Sequence, residues 1–210
     1  MGRVINLNKI MNLNDFVFVK EEAFTPEFCD SIINDFESYR LNGLARSGQS
    51  GIGVNDQVKN TTDLNIYDFP ELSEKYDSVL ATTFNEMLSE EYLGKLPYQE
   101  EFDKNQLFHN PTFYELMQIQ KYSQNKGHYN GWHAETGTFE MSRRLFVFIL
   151  YLNDVEEGGE TELLYTGLKV KPKKGQLLIH PASYPFVHKG HTPVSDSKYI
   201  VTTWLSYVPE

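Results

Sequence analysis

His133-Ala134-Glu135, inside Gly131-Trp132-His133-Ala134-Glu135-Thr136-Gly137, brings together two kinds of side chain that bind divalent metals. If the backbone there is extended, residues two apart share one face of a sheet, so the imidazole of His133 and the carboxylate of Glu135 aim at one point. Two of the three protein ligands of a 2-His-1-carboxylate iron site need that arrangement, and such a site keeps positions open for substrate and oxygen. A third ligand has to be found among His109, His128, His180, His188 and His191. His188 and His191 are the strongest candidates, because a jelly roll returns its late strands beside earlier ones. His-x-Glu alone arises often by chance, so the specificity must come from the rest of the chain.

The elements that would position these groups divide near residue 111. Before it, Phe16 to Val19 reads as a short strand. Thr25-Pro26-Glu27 reads as a helix start: a hydroxyl cap, a proline in the first turn and an acid at the positive end of the dipole. Phe28, Ile32, Ile33, Phe36 and Tyr39 continue at helical spacing, and Gly43 is the expected stop. Residues 41–62, rich in Gly, Ser, Asn and Asp, read as a mobile loop, either a lid or a solvated connection. Leu72 to Tyr92 reads as a second helix, with Leu72, Tyr76, Val79, Leu80, Phe84, Met87, Leu88 and Tyr92 on one side.

After residue 111 the pattern is strands and turns. Met117 to Tyr122 alternates, with Gln118, Gln120 and Tyr122 on one face. Arg144 to Leu152 is an apolar run that predicts a strand buried on both faces. Gly158-Gly159 turns into Thr161 to Leu164, and Gln176 to His180 is a further strand. Lys198 to Tyr207 alternates, with Lys198, Ile200, Thr202, Trp204 and Ser206 on one side. About eight short strands joined by Gly and Pro turns predict a jelly roll or barrel. The expected fold is mainly β with N-terminal helices (α+β): a double-stranded β-helix, cupin-like, with the helices on one sheet. The expected organisation is a single domain over 1–210, with helical support and a lid loop in 1–110 and the jelly-roll core in 111–210.

Composition narrows the classes. The formal net charge is -10, and an acidic surface repels phosphate backbones, so nucleic-acid binding is not expected. Cys29 is the one cysteine and lies in a helical pattern, so it reads as a small core residue. No internal disulfide can form, and a reducing, cytoplasmic setting is expected. No apolar run reaches the roughly 20 residues that span a membrane, so no membrane partner is expected. Met1 to Asn14 shows no apolar secretion core, and Gly2 lacks a Ser or Thr at position 6 for myristoylation.

Three stretches together resemble the iron(II)- and 2-oxoglutarate-dependent dioxygenases, specifically the prolyl 4-hydroxylase-like branch. They are His133-Ala134-Glu135, Tyr151-Leu152-Asn153-Asp154-Val155-Glu156-Glu157-Gly158-Gly159-Glu160-Thr161, and Val170 to Gly175 through His188-x-Gly190-x-x-Pro193-Val194 to Lys198-Tyr199. The resemblance covers about residues 115–207. It implies His133, Glu135 and His188 as metal ligands and as the catalytic set. It implies Lys198 as partner of the far carboxylate of 2-oxoglutarate, with Tyr122, Thr161 and Trp204 lining the cosubstrate pocket. Arg144 matches a position implicated in substrate contact. Tyr129 is the substitute for Tyr122 and a second substrate-side residue. This sequence has Glu135 where the family usually has Asp, and its Tyr122-to-His133 interval is slightly long.

The residues can be weighed on their own terms. A buried Lys is costly unless paired, and a carboxylate partner contributes about 1.5–3 kcal/mol; the plainer alternative is a surface lysine at a strand end. For Arg144 the alternative is a structural ion pair, for Trp204 core packing, and for Tyr122 and Thr161 ordinary packing or a turn. The implied activity is hydroxylation of an unactivated carbon, releasing succinate and CO2. Its implied cofactors are Fe(II) and 2-oxoglutarate, with ascorbate (vitamin C) as an optional addition. The branch points to a prolyl residue of a protein or peptide. A free amino acid or other small molecule is the alternative substrate, and a non-catalytic jelly-roll binding module the alternative class. Oligomeric state is not written in the residues.

Overall fold

Thr25 caps the first helix as its residue type demands: its hydroxyl accepts from the Phe28 N–H, and Pro26 follows in the first turn. The computed structural model describes residues 12–51, 53–95 and 110–209. His109 and residues 1–11 lie outside them, and with them the expectations on secretion and myristoylation. Helix α1 runs Pro26–Leu41 and ends before Gly43, whose φ of 74° is left-handed. Helix α2 runs Pro70–Glu86 and continues through a π turn, Met87–Tyr92. Leu72, Tyr76, Leu80, Phe84, Leu88 and Tyr92 of the expected stripe are buried, whereas Val79 faces outward. Among the described residues no helix is long and apolar enough to cross a membrane.

Thirteen strands are described: β1 Phe18–Lys20, β2 Arg46–Ser47, β3 Lys59–Asn60, β4 Thr62–Asn65, β5 Thr112–Tyr114, β6 Gln118–Tyr122, β7 His128–His133, β8 Arg144–Tyr151, β9 Thr161–Leu163, β10 Lys169–Val170, β11 Leu177–Pro181, β12 His188–Gly190 and β13 Lys198–Tyr207. One sheet has the order β1-β11-β8-β13-β6-β4-β2, with β5 also on β13; the other has the order β10-β9-β12-β7-β3. All the pairings are antiparallel. The result is the jelly-roll arrangement, with both helices on the outer face of the larger sheet.

The apolar run of β8 follows from that layering. Phe146, Phe148 and Leu150 pack with the helices, while Val147, Ile149 and Tyr151 face the space between the sheets. Phe84 carries much of the helix contact, with its ring 5.1 Å from Phe148 and 5.8 Å from Phe24. Glu37 of α1 ties the helix to the sheet by accepting from Lys121 and Tyr199. Cys29 is fully buried, and burial lifts its thiol to about 11.

Three expectations need correction. The first strand starts at Phe18, because Asn12 and Asp15 cap each other in a 3-10 turn over Leu13–Phe16. The second helix changes to π and 3-10 turns after Glu86. Residues 41–62 are not one structureless loop: β2 and β4 extend the larger sheet and β3 extends the smaller one. A buried ion pair helps hold this segment, with Lys59 Nζ 2.8 Å from Asp63 Oδ2 and donating to the Gln49 carbonyl at 3.2 Å.

Candidate metal centre and adjoining pocket

β7 and β12 lie side by side, and their register sets His133 directly opposite His188. Each ring is oriented the same way. Nδ1 lies 2.7 Å from the Gly131 carbonyl for His133 and 3.1 Å from the Phe186 carbonyl for His188. A carbonyl can only accept, so Nδ1 carries the proton and Nε2 presents its lone pair. Glu135 meets them from just beyond the strand end, since β7 stops at His133. The expected extended pair is therefore a strand end followed by a turn. The Glu135 N–H donates to the Ala182 carbonyl at 3.0 Å, which fixes that turn. Its Oε1 is 3.4 Å from His133 Nε2 and 3.5 Å from His188 Nε2.

This set fits a divalent ion. Its three ligand atoms lie within 4.8 Å of one another. Two imidazole lone pairs and a carboxylate oxygen facing each other repel unless a cation or a proton lies between them. Burial, then the neighbouring His188, lowers the His133 pKa and favours the neutral ring. Burial would raise the Glu135 carboxyl, and a positive charge shared with the two imidazoles at their Nε2 atoms outweighs it and holds the group well below the usual carboxylate range. An ion bound at about 2.1 Å from two donors separates them by at most about 4.2 Å, and both measured separations are shorter. Behind the set, His180 is fully buried, its ring 4.7 Å from that of His188; burial lowers its pKa to about 3. His191 instead bonds Glu162 at 2.6 Å, and His128 is half-buried on β7, away from this cluster.

The set opens on a cavity of about 590 Å³ between the sheets, a size usual for small-molecule sites. The alternation of β13 turns Lys198, Ile200, Thr202 and Trp204 toward it, and that of β6 turns Gln118, Gln120 and Tyr122 toward it. Lys198 is 1% exposed, so the surface-lysine alternative fails. Its Nζ donates to the Gly159 carbonyl at 2.9 Å and lies 3.9 Å from the centre of the Tyr122 ring, its cross-strand neighbour. Among the described residues no carboxylate bonds it, and burial, only partly countered by Glu160, lowers its pKa to about 7. Gly190 lines the same corner, where a Cβ would make ordinary contacts 3.4 Å from Tyr122 and 3.7 Å from Lys198 Nζ.

Thr161 accepts from the Tyr151 hydroxyl at 2.7 Å, which leaves its own proton for the cavity. Trp204 is buried, and its indole N–H has no hydrogen-bond partner among the described residues. Tyr129 lies flat on His133, ring centres 3.8 Å apart, so it supports the metal set while Tyr122 accompanies Lys198. The turn at Ser123 to Gly127, with Asn125 at φ 58°, absorbs the long interval between Tyr122 and His133. Arg144 is engaged on two sides, by Glu115 at 2.7 Å and Glu135 at 3.2 Å. Sequence reasoning missed Glu115 and the Lys59–Asp63 pair. Charged residues well away from a motif are common, and only the strand pairing shows which of them turn inward.

Comparison with known proteins agrees with this arrangement. Residues 117–206 match the model of the 2OG-Fe(II) oxygenase superfamily. Prolyl 4-hydroxylase 13 of Arabidopsis thaliana is 29% identical over 119 residues, covering 44% of this chain and 43% of that protein. The probable prolyl 4-hydroxylase 9 of the same plant is 34% identical over 115 residues, covering 44% and 38%. The chain thus matches about two fifths of the length of these curated relatives. A Trichoplax adhaerens prolyl hydroxylase, solved with a hypoxia inducible factor oxygen degradation domain peptide, superposes with a TM-score of 0.71 at 14% identity, covering 93% of this chain and 86% of that one. The viral collagen prolyl hydroxylase of Paramecium Bursaria Chlorella virus-1, in its 2OG complex, gives 0.65 at 19%, covering 92% and 97%. At those identities the two structures show a shared fold.

Proposed function

We propose that this chain, whose residues 117–206 match the model of the 2OG-Fe(II) oxygenase superfamily, is an Fe(II)- and 2-oxoglutarate-dependent hydroxylase of the prolyl 4-hydroxylase-like kind. The observation that carries the reading is one cavity with a two-imidazole, one-carboxylate cluster at its wall and, deeper in, a buried lysine that has no anionic partner among the described residues. His133, Glu135 and His188 would hold the iron. Lys198 would hold the far carboxylate of 2-oxoglutarate, helped by the Thr161 hydroxyl proton and flanked by Tyr122 and Trp204. When bound, iron and 2-oxoglutarate together supply the oxidation of an unactivated C–H bond by O2, with release of succinate and CO2.

The chain's own residues have simpler tasks. Nδ1 of each histidine keeps its proton on a strand carbonyl, so the metal-facing nitrogens stay unprotonated. Lys198 donates one bond to Gly159 and has two protons left for an anion. Val147, Ile149 and Ile200 form apolar wall that keeps water out. Gln49, Ser50 and Gly51 line the cavity from the 41–62 segment and are placed to cover a bound substrate.

The curated relatives are named as prolyl 4-hydroxylases, and the Trichoplax adhaerens hydroxylase was solved with a peptide. They favour a prolyl residue of a peptide or protein as the substrate here. The test is succinate release from the purified chain with Fe(II), 2-oxoglutarate and O2, screened against proline-containing peptides and free amino acids. Peptide-stimulated release supports the reading. Stimulation by free amino acids alone moves the substrate class, and no release with any of them removes the function.

A further inference from the structure

We infer that Arg144 is the positioning residue that holds Glu135 as a one-oxygen metal ligand. The inference rests on the metal reading above. Glu135 is one methylene longer than aspartate, so its carboxylate can swing and offer both oxygens to an ion. Two oxygens on the ion would fill a position that the keto acid of 2-oxoglutarate needs. The guanidinium prevents this from one side. Nη1 of Arg144 donates to Glu135 Oε2 at 3.2 Å and to the Glu135 backbone carbonyl at 3.3 Å, gripping both ends of the residue. Oε1 is left facing His133 and His188.

Arg144 is itself fixed. Nε and Nη2 donate to Glu115 Oε2 at 3.0 and 2.7 Å, and the guanidinium lies 4.0 Å from the centre of the Trp204 ring. Glu115 is anchored in turn by Ser206 through its other oxygen, and Ser206 is the cross-strand partner of Arg144. With all three nitrogens engaged, the fork is a brace between two carboxylates. Lysine cannot replace it, because a single ammonium cannot span both acids in that plane.

The test is the 2-oxoglutarate dissociation constant of the Mn(II)-loaded protein, which needs no turnover. Arg144→Lys keeps the charge beside Glu115 and loses the fork. It is expected to weaken 2-oxoglutarate binding about tenfold or more, within the range for partners that orient a metal ligand. In the Glu135→Asp background the carboxylate, one methylene shorter, is expected to lose its bond to Arg144 and keep only the backbone-carbonyl one, so the same change is expected to weaken binding less than about threefold. Arg144→Gln is the second variant, paired with Glu115→Gln so that Glu115 is not left buried without its arginine, and it is expected to show the same split between backgrounds. An equal loss in both backgrounds, or no loss with Glu135 present, overturns the proposal. If the unaltered chain binds no Mn(II), the metal reading falls and takes the proposal with it. If it binds both ligands and the split is absent, only the proposal falls.

Discussion

At the residue scale, Lys198 is the most informative side chain. Burial lowers its pKa to about 7, so near neutral pH it is half charged and without an anion. An anion in the pocket raises that pKa, and binding then takes up a proton at any pH between the free and bound values. The affinity for 2-oxoglutarate should therefore be flat below about pH 6. It should weaken as pH rises through about 7, approaching tenfold per unit. Calorimetry in two buffers of different ionisation heat would read the proton uptake directly. Lys198→Met should raise the KM for 2-oxoglutarate by tenfold or more with a smaller effect on metal affinity, because a charged hydrogen bond of about 1.5–3 kcal/mol is lost away from the ion. His133→Ala should abolish Mn(II) binding and succinate formation alike. Full turnover in that variant would remove the metal assignment.

At the scale of elements, the helices matter to the site through one packed layer. Phe84 is fully buried and meets Phe24, Tyr114 and Phe148 at ring distances of 5.1–5.9 Å. Phe84→Ala should cost about 3–5 kcal/mol, read as a lower midpoint in thermal or urea unfolding. The fraction that stays folded should bind Mn(II) unchanged, because Phe84 lies on the far face of the sheet from the cavity. Helix faces and the β6 and β13 alternation were legible because one period, 3.6 or 2, is forced wherever one side is buried. The 41–62 segment was illegible for the opposite reason. Its strands are two to four residues long, too short for a period, and a buried Lys59–Asp63 pair holds the segment where no apolar stripe does. The capping pair Asn12–Asp15 shifted the first strand by a similar local effect.

At the scale of the whole molecule, the jelly roll does for His133 and His188 what spacing in the sequence cannot. They are 55 residues apart and become cross-strand neighbours only through sheet topology. Their types and order were readable as a family pattern. The carbonyl bonds that set their tautomers, the Glu115–Arg144–Glu135 chain and the Tyr129 stack were not, since each depends on side chains meeting across strands. The same topology puts the His133–Glu135–His188 set, the lysine and the 41–62 segment around one cavity, so on the proposed function metal, 2-oxoglutarate and substrate should bind with linked affinities. Metal should tighten 2-oxoglutarate, and 2-oxoglutarate should tighten metal by an equal factor.

The most direct measurement is an anaerobic titration of 2-oxoglutarate into the Fe(II)-loaded chain, followed by visible absorption. A weak charge-transfer band that saturates at one equivalent, vanishes in His133→Ala and needs far more 2-oxoglutarate in Lys198→Met is the predicted result. A chain that gives no band, or gives the same band without His133, contradicts the placement of iron and 2-oxoglutarate in this cavity.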